Sequence, residues 1–294
     1  MRKFLLSCLI LTLLVFSLAF TAFAANSDLP ADYVDENEFI LASFQTTKNF
    51  IKNKANPSAI EDACYWIIDN KDKCDIKYVS FLGDLTSGAR LSYAKAINDQ
   101  GLSTSEWLNI IADDKDWEGE FKALKKSISV LTEEGIPYGL SNSRLDLYGD
   151  GYSRTSNLGE FFPVSDIMPE GVQYDMFNDA NYYTIVENNG ISYIIFQLDC
   201  YTTTPALDWF NATLAAHPDK YAIIFTQTFN DAKGEMYTMW DWENGGFQGI
   251  GTTDLRYMNL TWYDKPRDGE GLWSYAFSKH DNILAVISSR VTTD

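Results

Sequence analysis

The chain has 294 residues, of which 46% are hydrophobic, and its 41 acidic and 23 basic residues give a formal net charge of −18. A chain of this length can bury one large core or two modest ones. Its negative charge disfavours nucleic acid and anionic lipid as partners, because both carry charge of the same sign.

The first predicted element is a secretory signal over residues 1–24. Arg2 and Lys3 form a basic start, a long apolar run follows, and Ala22 and Ala24 have the spacing of a cleavage site. The alternative is a retained membrane anchor. Cleavage would remove both cations and leave 21 basic residues against 41 acidic ones, a formal charge of −20. This pattern predicts a secreted, extracellular protein with no membrane partner after cleavage.

The mature part, residues 25–294, alternates short apolar strand patterns with amphipathic helix patterns and is predicted to form one domain. Strands are predicted at 39–45, 78–82, near 138, and at 182–187, 191–198, 221–226 and 282–287. Helices are predicted at 59–70, within 107–131, and at 207–216 and 271–279. The sequence Asn-Asn-Gly at 188–190 is typical of a hairpin turn. Together these patterns predict an α/β fold with a mixed sheet.

The mature part contains three cysteines and two histidines. Cys64 and Cys74 flank a predicted helix-to-strand turn, and in an extracellular protein they are equally consistent with a disulfide and with free thiols. Cys200 is expected to be buried rather than reactive. His217 and His280 are expected at a helix end and before the last strand, which indicates structural roles.

The strand pattern at 78–82 ends in Gly83-Asp84, and an Asp delivered from the carboxyl end of a strand usually lies at a metal or catalytic site. Further segments follow in a recognisable order, at 135–138, 206–226 and 271–283. Because these segments and Gly83-Asp84 occur in this order, the chain resembles the calcineurin-like metallophosphoesterases, especially large secreted bacterial members, over residues 38–294. The resemblance implies a four-layer αββα sandwich with a dimetal site at the carboxyl ends of the strands.

The resemblance also assigns the metal-ligand motifs of that family to positions in this chain. The first motif, Asp-x-His or Asp-x-Gln, falls on Ser43-Phe44-Gln45, and the Gly-Asp motif falls on Gly83-Asp84. The Gly-Asn-His-Asp motif falls on Ser141-Asn142-Ser143-Arg144 and the Thr-His motif on Thr226-Gln227. The final motif, Gly-His-x-His, falls on Ser289-Arg290-Val291-Thr292. Most ligands are therefore replaced. Ser143 stands where the family has the histidine that protonates the leaving group. We refer to these positions as the matched set.

Asp84 is the one carboxylate of the matched set, and two divalent ions need several anionic or imidazole ligands. Asn142 and Gln45 add neutral oxygen donors, so a single weakly bound Ca²⁺ or Mg²⁺ is the most that the matched set predicts, and no other cofactor is expected. The alternative is that Asp84 forms an ion pair with Arg144 or Arg290 and binds no metal.

Residues 230–270 are loop-like and unusually aromatic. Trp240, Trp242 and Trp262 lie near carboxylates and are candidates for stacking on a sugar, whereas the alternative is that they pack the loop onto the sheet. Asp146 lies in a segment rich in Gly and Asp that matches no complete EF-hand pattern.

These observations lead to three hypotheses. The first is a secreted protein of metallophosphoesterase fold with a degenerate metal site, catalytically inactive, that binds a small molecule, a glycan or a protein. The second is an active phosphoesterase with a reduced or reorganised metal site at Asp84 and Asn142. The third is a glycan-binding protein. Family members usually continue with further strands, so a shortened domain is one interpretation of the end at Asp294.

Overall fold

A computed structural model describes residues 34, 38–51, 58–86, 116–143, 146–148, 155–156, 158–200, 202–227, 229–230, 234–236, 267 and 269–289. The predictions that lie outside these residues are the signal at 1–24, Arg144, Arg290, Thr292, Trp240, Trp242 and Trp262. Among the described helices, none has the length and apolar content needed to span a bilayer.

The first sheet is parallel and contains β1 (Ile40–Phe44), β2 (Ile76–Phe81) and β3 (Tyr138–Leu140), in that order. Its crossovers carry α1 (Lys48–Ile51), α2 (Ala59–Asn70), α3 (Asp116–Ile128) and α4 (Val130–Glu133). The central strand β2 is almost wholly buried, as expected for a parallel strand covered on both faces. Helix α2 buries Ile60, Cys64 and Ile67, which recur at helical spacing.

The connection to the second sheet contains short elements: β4 (Leu147–Tyr148), β5 (Thr155–Ser156), α5 (Leu158–Phe161) and α6 (Val164–Ile167). The second sheet contains β6 (Tyr174–Asn178), β7 (Asn181–Asn188), β8 (Ile191–Gln197), β9 (Tyr221–Thr226) and β10 (Ile283–Ser288). Its order is β10-β9-β8-β7-β6. Strands β8, β9 and β10 are parallel, while β6, β7 and β8 form an antiparallel meander. The described helices that follow β8 are α7 (Thr204–Ala216), α8 (Gly269–Tyr275) and a 3₁₀ turn (Phe277–Lys279).

Three groups of buried side chains hold these elements together. The first joins α2 and α3 to the first sheet, and the second joins α7 and α8 to β8 and β9. The third contains Tyr78, Leu82, Val186, Ile195, Ile223 and Phe225. Because its members come from β2 and its end and from β7, β8 and β9, this third group packs one sheet against the other.

A buried polar network also links the two sheets. Gln197 of β8 donates to the Oγ of Ser80 at 3.1 Å and to the Oγ of Ser141 at 2.8 Å. Its amide oxygen accepts from Ser80 at 3.2 Å and from the Tyr78 hydroxyl at 3.4 Å. Gly139 leaves the space for this network, because a Cβ there would collide with the Tyr78 hydroxyl. The network fixes the spacing between the ends of β2, β3 and β8.

The structure confirms the mixed α/β arrangement and the hairpin. Asn189 and Gly190 have φ values of 49° and 77°, the left-handed pair that a two-residue hairpin turn requires. Among the three described cysteines, Cys64 and Cys74 are separate buried thiols rather than a disulfide, and Cys200 is buried as predicted. The predicted position of His217 at a helix end is also confirmed, since this residue caps α7.

Candidate functional site

The candidate site lies at the carboxyl edge, which we define as the edge where β2, β3, β9 and β10 end. Carboxyl ends of parallel strands are where α/β proteins usually bind ligands. Ser289, directly after β10, donates its hydroxyl to the Leu82 carbonyl at 2.6 Å and so ties the second sheet to the end of β2. Gln227 follows β9 and reaches the same place from the second sheet.

Asp84 is held at this edge by its backbone. Its carbonyl accepts hydrogen bonds from the amides of Thr47 at 3.2 Å and Lys48 at 3.0 Å, and from the Thr46 hydroxyl at 3.2 Å. Gly83 and Asp84 have φ values of 84° and 46°, in the left-handed region. The loop after β2 is therefore fixed to the loop after β1, and the Asp84 side chain has a defined position.

Among the described residues, two side chains contact the Asp84 carboxylate. The Lys48 ammonium forms an ion pair with Oδ2, and the Gln227 amide donates to Oδ1 at a long 3.4 Å. The side chains of Lys48 and Asp84 are 23% and 28% exposed, so solvent screens the pair only in part. Gln227 is 3% exposed, and its Oε1 accepts no hydrogen bond from any described residue.

Gly83 allows the loops of the two sheets to approach closely. A Cβ at this position would lie 2.9 Å from Nε2 of Gln227 and 3.0 Å from Cβ of Ser143. A side chain there would therefore push Gln227 or Ser143 away, and its positive φ disfavours one as well. Glycine at 83 is what lets Asp84, Ser143 and Gln227 come together.

Asp146 fastens the loop after β2 to the loop after β3. Its carboxylate accepts from the amides of Leu85 at 3.2 Å, Thr86 at 2.9 Å and Ser143 at 2.8 Å, and from the Thr86 hydroxyl at 3.3 Å. Burial, and next the negative charge of Asp84, raise the pKa of Asp146 to about 6, although the hydrogen bonds from Thr86 and Ser143 oppose the rise. Asp146 is fully buried and acts as a structural link behind the site.

The carboxyl edge brings together several members of the matched set: Asp84, Asn142, Ser143, Gln227 and Ser289. Asn142 and Ser143 are buried after β3. Ser43 and Gln45 lie at the end of β1 with exposed side chains. The remaining members, Arg144, Arg290 and Thr292, fall outside the described residues.

Sequence reasoning missed Lys48, and it considered Asp146 only as part of a weak calcium-loop pattern rather than as a link between the loops of the site. Lys48 supplies a positive charge beside Asp84, and no motif marks it. Its one signal is a position four residues beyond the end of β1. Asp146 lies just beyond Ser143, and its partners are mostly backbone amides, which a sequence does not reveal.

The donors among the described residues do not fit a pair of divalent ions. Asp84 already has a cation at Oδ2, and the Asp146 carboxylate is directed at the amides of two loops. Gln227 adds one neutral amide oxygen. Within the part of the chain that the structure describes, no group of three or more His, Cys, Asp or Glu residues is placed to hold a metal ion. Oxygen donors of this kind suit at most one hard cation.

Comparisons with known proteins give distant similarities. No family model matches the chain. The "Uncharacterized protein YvnB" of Bacillus subtilis (strain 168) is 29% identical over 171 residues, which are 57% of this chain and 11% of that protein. The structure of purple acid phosphatase PPD1 from yellow lupin (Lupinus luteus) seeds aligns at a TM-score of 0.35 and 13% identity, over 74% of this chain and 34% of that one. The structural similarity is weak, and the chain spans a minor part of either protein.

Proposed function

We propose that this chain is a secreted protein with a metallophosphoesterase-like fold that binds a ligand at the carboxyl edge without dimetal catalysis. Secretion is supported by the basic start, apolar run and cleavage pattern of residues 1–24. The fold is supported by the parallel strands that bring the matched set to one edge. The three core groups, which lie between helices and each sheet and between the two sheets, support four αββα layers.

One observation carries the proposal: the single carboxylate of the matched set at this edge forms an ion pair with Lys48. Metal-dependent hydrolysis uses bound ions to generate a hydroxide nucleophile and to stabilise charge on the phosphoryl oxygens. The described residues offer too few anionic ligands for such a pair of ions. Ser143, in place of a histidine, has no acid strength to protonate a leaving group near neutral pH.

The chemistry of Gln227 indicates what the ligand offers. A buried amide oxygen without a hydrogen bond is costly, by about 1–3 kcal/mol, so a ligand that displaces the groups covering it and donates to it gains affinity. Lys48 and Asp84 neutralise each other, so the site selects neither a strong anion nor a strong cation. The best-suited ligand is a neutral polar molecule with a hydroxyl or amide N–H group, whether free or as part of a glycan or protein.

The absence of dimetal catalysis is tested on the full mature chain. We expect isothermal titration with Mn²⁺, Zn²⁺ and Ca²⁺ to show no tight binding of two ions. Hydrolysis of p-nitrophenyl phosphate and of its diester should stay at background with each metal. Tight binding of two ions would overturn the proposal. Hydrolysis that disappears in Asp84→Asn would favour the alternative, a phosphoesterase with a reduced site at Asp84 and Asn142.

Ligand binding is tested with a panel of neutral sugars, polyols and amides, scored by thermal unfolding and confirmed by calorimetry. Gln227→Leu removes the buried acceptor at similar volume, and Gln173→Leu, at an exposed glutamine just before β6, is the matched control. A compound that stabilises wild type and Gln173→Leu but not Gln227→Leu would support the site. Stabilisation that survives Gln227→Leu would mean that the ligand binds elsewhere. If that ligand is a glycan, Trp240, Trp242 and Trp262 become the candidate binding residues.

A further inference from the structure

We propose that Lys48 is the resident cation of the carboxyl edge and that its charge prevents Asp84 from binding a divalent metal ion. The inference rests on the proposed function and adds a residue that sets the ion specificity of the site. It predicts that a single divalent-ion site emerges once the charge at position 48 is removed.

Lys48 is held beside Asp84 by its backbone and by its side chain. Its amide donates to the Asp84 carbonyl at 3.0 Å, and its ammonium forms the ion pair with Oδ2 of the same residue. The backbone bond limits how far the side chain can move away, so the ammonium stays local to the carboxylate. By contrast, Lys122 is 68% exposed and forms an ordinary pair with Glu118 one turn away on α3.

A metal ion approaching Asp84 would meet this ammonium. Since Lys48 already contacts Oδ2, the ion must either displace it or bind beside a positive charge at close range. Both routes weaken binding, because repulsion grows with the charge of the ion and is only partly screened at a half-buried position.

The other groups around Asp84 are compatible with one hard cation. Oδ1 accepts a long hydrogen bond from Nε2 of Gln227, and a half-turn of that amide would direct its oxygen, which accepts no hydrogen bond from any described residue, toward an ion at Asp84. A carboxylate, an amide oxygen and water are donors that Ca²⁺ accepts readily. The positive charge of Lys48 is therefore the feature of the described site that most opposes such an ion.

The test compares Ca²⁺ and Mn²⁺ affinity by isothermal titration in wild type, Lys48→Gln and Lys48→Arg, with Lys122→Gln as the matched surface control. Lys48→Met, which keeps the apolar stem, replaces Lys48→Gln if circular dichroism shows the latter to be unfolded. We expect Lys48→Gln or Lys48→Met to bind one ion about 10-fold or more tightly than wild type. Lys48→Arg and Lys122→Gln should match wild type, and adding Asp84→Asn to Lys48→Gln should abolish the gain.

The inference is overturned if neither Lys48→Gln nor Lys48→Met gains affinity, if Lys48→Arg gains as much, or if the gain survives Asp84→Asn. These outcomes are distinct from failure of the proposed function. Tight binding of two ions by wild type would contradict that function directly. Weak binding by wild type together with no gain on removing the charge would contradict the role of Lys48 alone.

Discussion

The buried network around Gln197 yields a quantitative prediction for Gln197→Leu. Leucine has similar volume but no polar atoms, so the hydroxyls of Tyr78, Ser80 and Ser141 lose their shared partner inside the protein. A buried polar group left without a hydrogen bond costs about 1–3 kcal/mol, and three are affected. Allowing for rotation of hydroxyls toward each other, we expect a loss of about 3–5 kcal/mol in the free energy of unfolding.

The loss is measured by equilibrium unfolding in urea, from the shift of the midpoint at constant slope. Gln173→Leu at an exposed position is the control and should change stability by less than about 0.5 kcal/mol. Adding Ser80→Ala and Ser141→Ala to Gln197→Leu gives a triple variant. It should recover part of the lost free energy of unfolding, because fewer buried polar groups then remain without a hydrogen bond.

Two results would refute the reasoning. A loss below about 1 kcal/mol for Gln197→Leu would mean that the hydroxyls find other partners at little cost. A triple variant whose loss equals the sum of the separate losses would mean that the residues do not act as one network.

Three further predictions concern ionisation, packing and reactivity. Asp146→Asn removes a carboxyl whose pKa is raised from 3.8 to about 6 by burial and by the charge of Asp84. Because the unfolded chain loses its proton first as the pH rises, the free energy of unfolding of wild type should fall by about 2 kcal/mol relative to that of this variant between pH 4 and 7, as measured in urea. A difference that does not change with pH would contradict the shift. Gly139→Ala should lower the free energy of unfolding, measured in urea, by about 3 kcal/mol or more, because the added Cβ collides with the buried Tyr78 hydroxyl. Gly119→Ala is the control, because a Cβ in this open part of α3 meets no other atom; it should be neutral or stabilising by up to about 1 kcal/mol. Equal effects of the two substitutions on stability would contradict the close contact at Gly139. Burial raises the pKa of the Cys64 thiol to about 12, so iodoacetamide at pH 8 should label it only after denaturation, as read by mass spectrometry. Labelling of Cys64 in the native protein would contradict its burial, because the reagent would then have reached the thiol without unfolding.

The elements that the sequence predicted well are those with one face in the core. The helix predicted at 59–70 and the strand predicted at 221–226 occur with the same bounds, because their apolar spacing matches burial in the structure. Strand β6 was missed because all five of its residues are exposed, so burial imposes no pattern on them. Its pairing with β7, rather than its own composition, defines it as a strand.

The site was predictable only where a motif marks it. Gly83-Asp84 and the positions of Ser143 and Gln227 were found from their order along the chain, and the structure brings them together. The Lys48–Asp84 pair joins residues 36 apart, and no spacing rule connects a short helix to the end of a distant strand. The alternative that Asp84 pairs with Arg144 or Arg290 stays a prediction, because both arginines lie outside the described residues.

The left-handed backbone at Asp84 limits which residues this position accepts. A φ of 46° is adopted readily by glycine, asparagine and aspartate and by few other residues. The shape of the loop alone therefore favours a small set of residues at position 84, and aspartate is one of them. The shape of the loop after β2 is therefore enough to explain an aspartate after Gly83, whatever the carboxylate itself does.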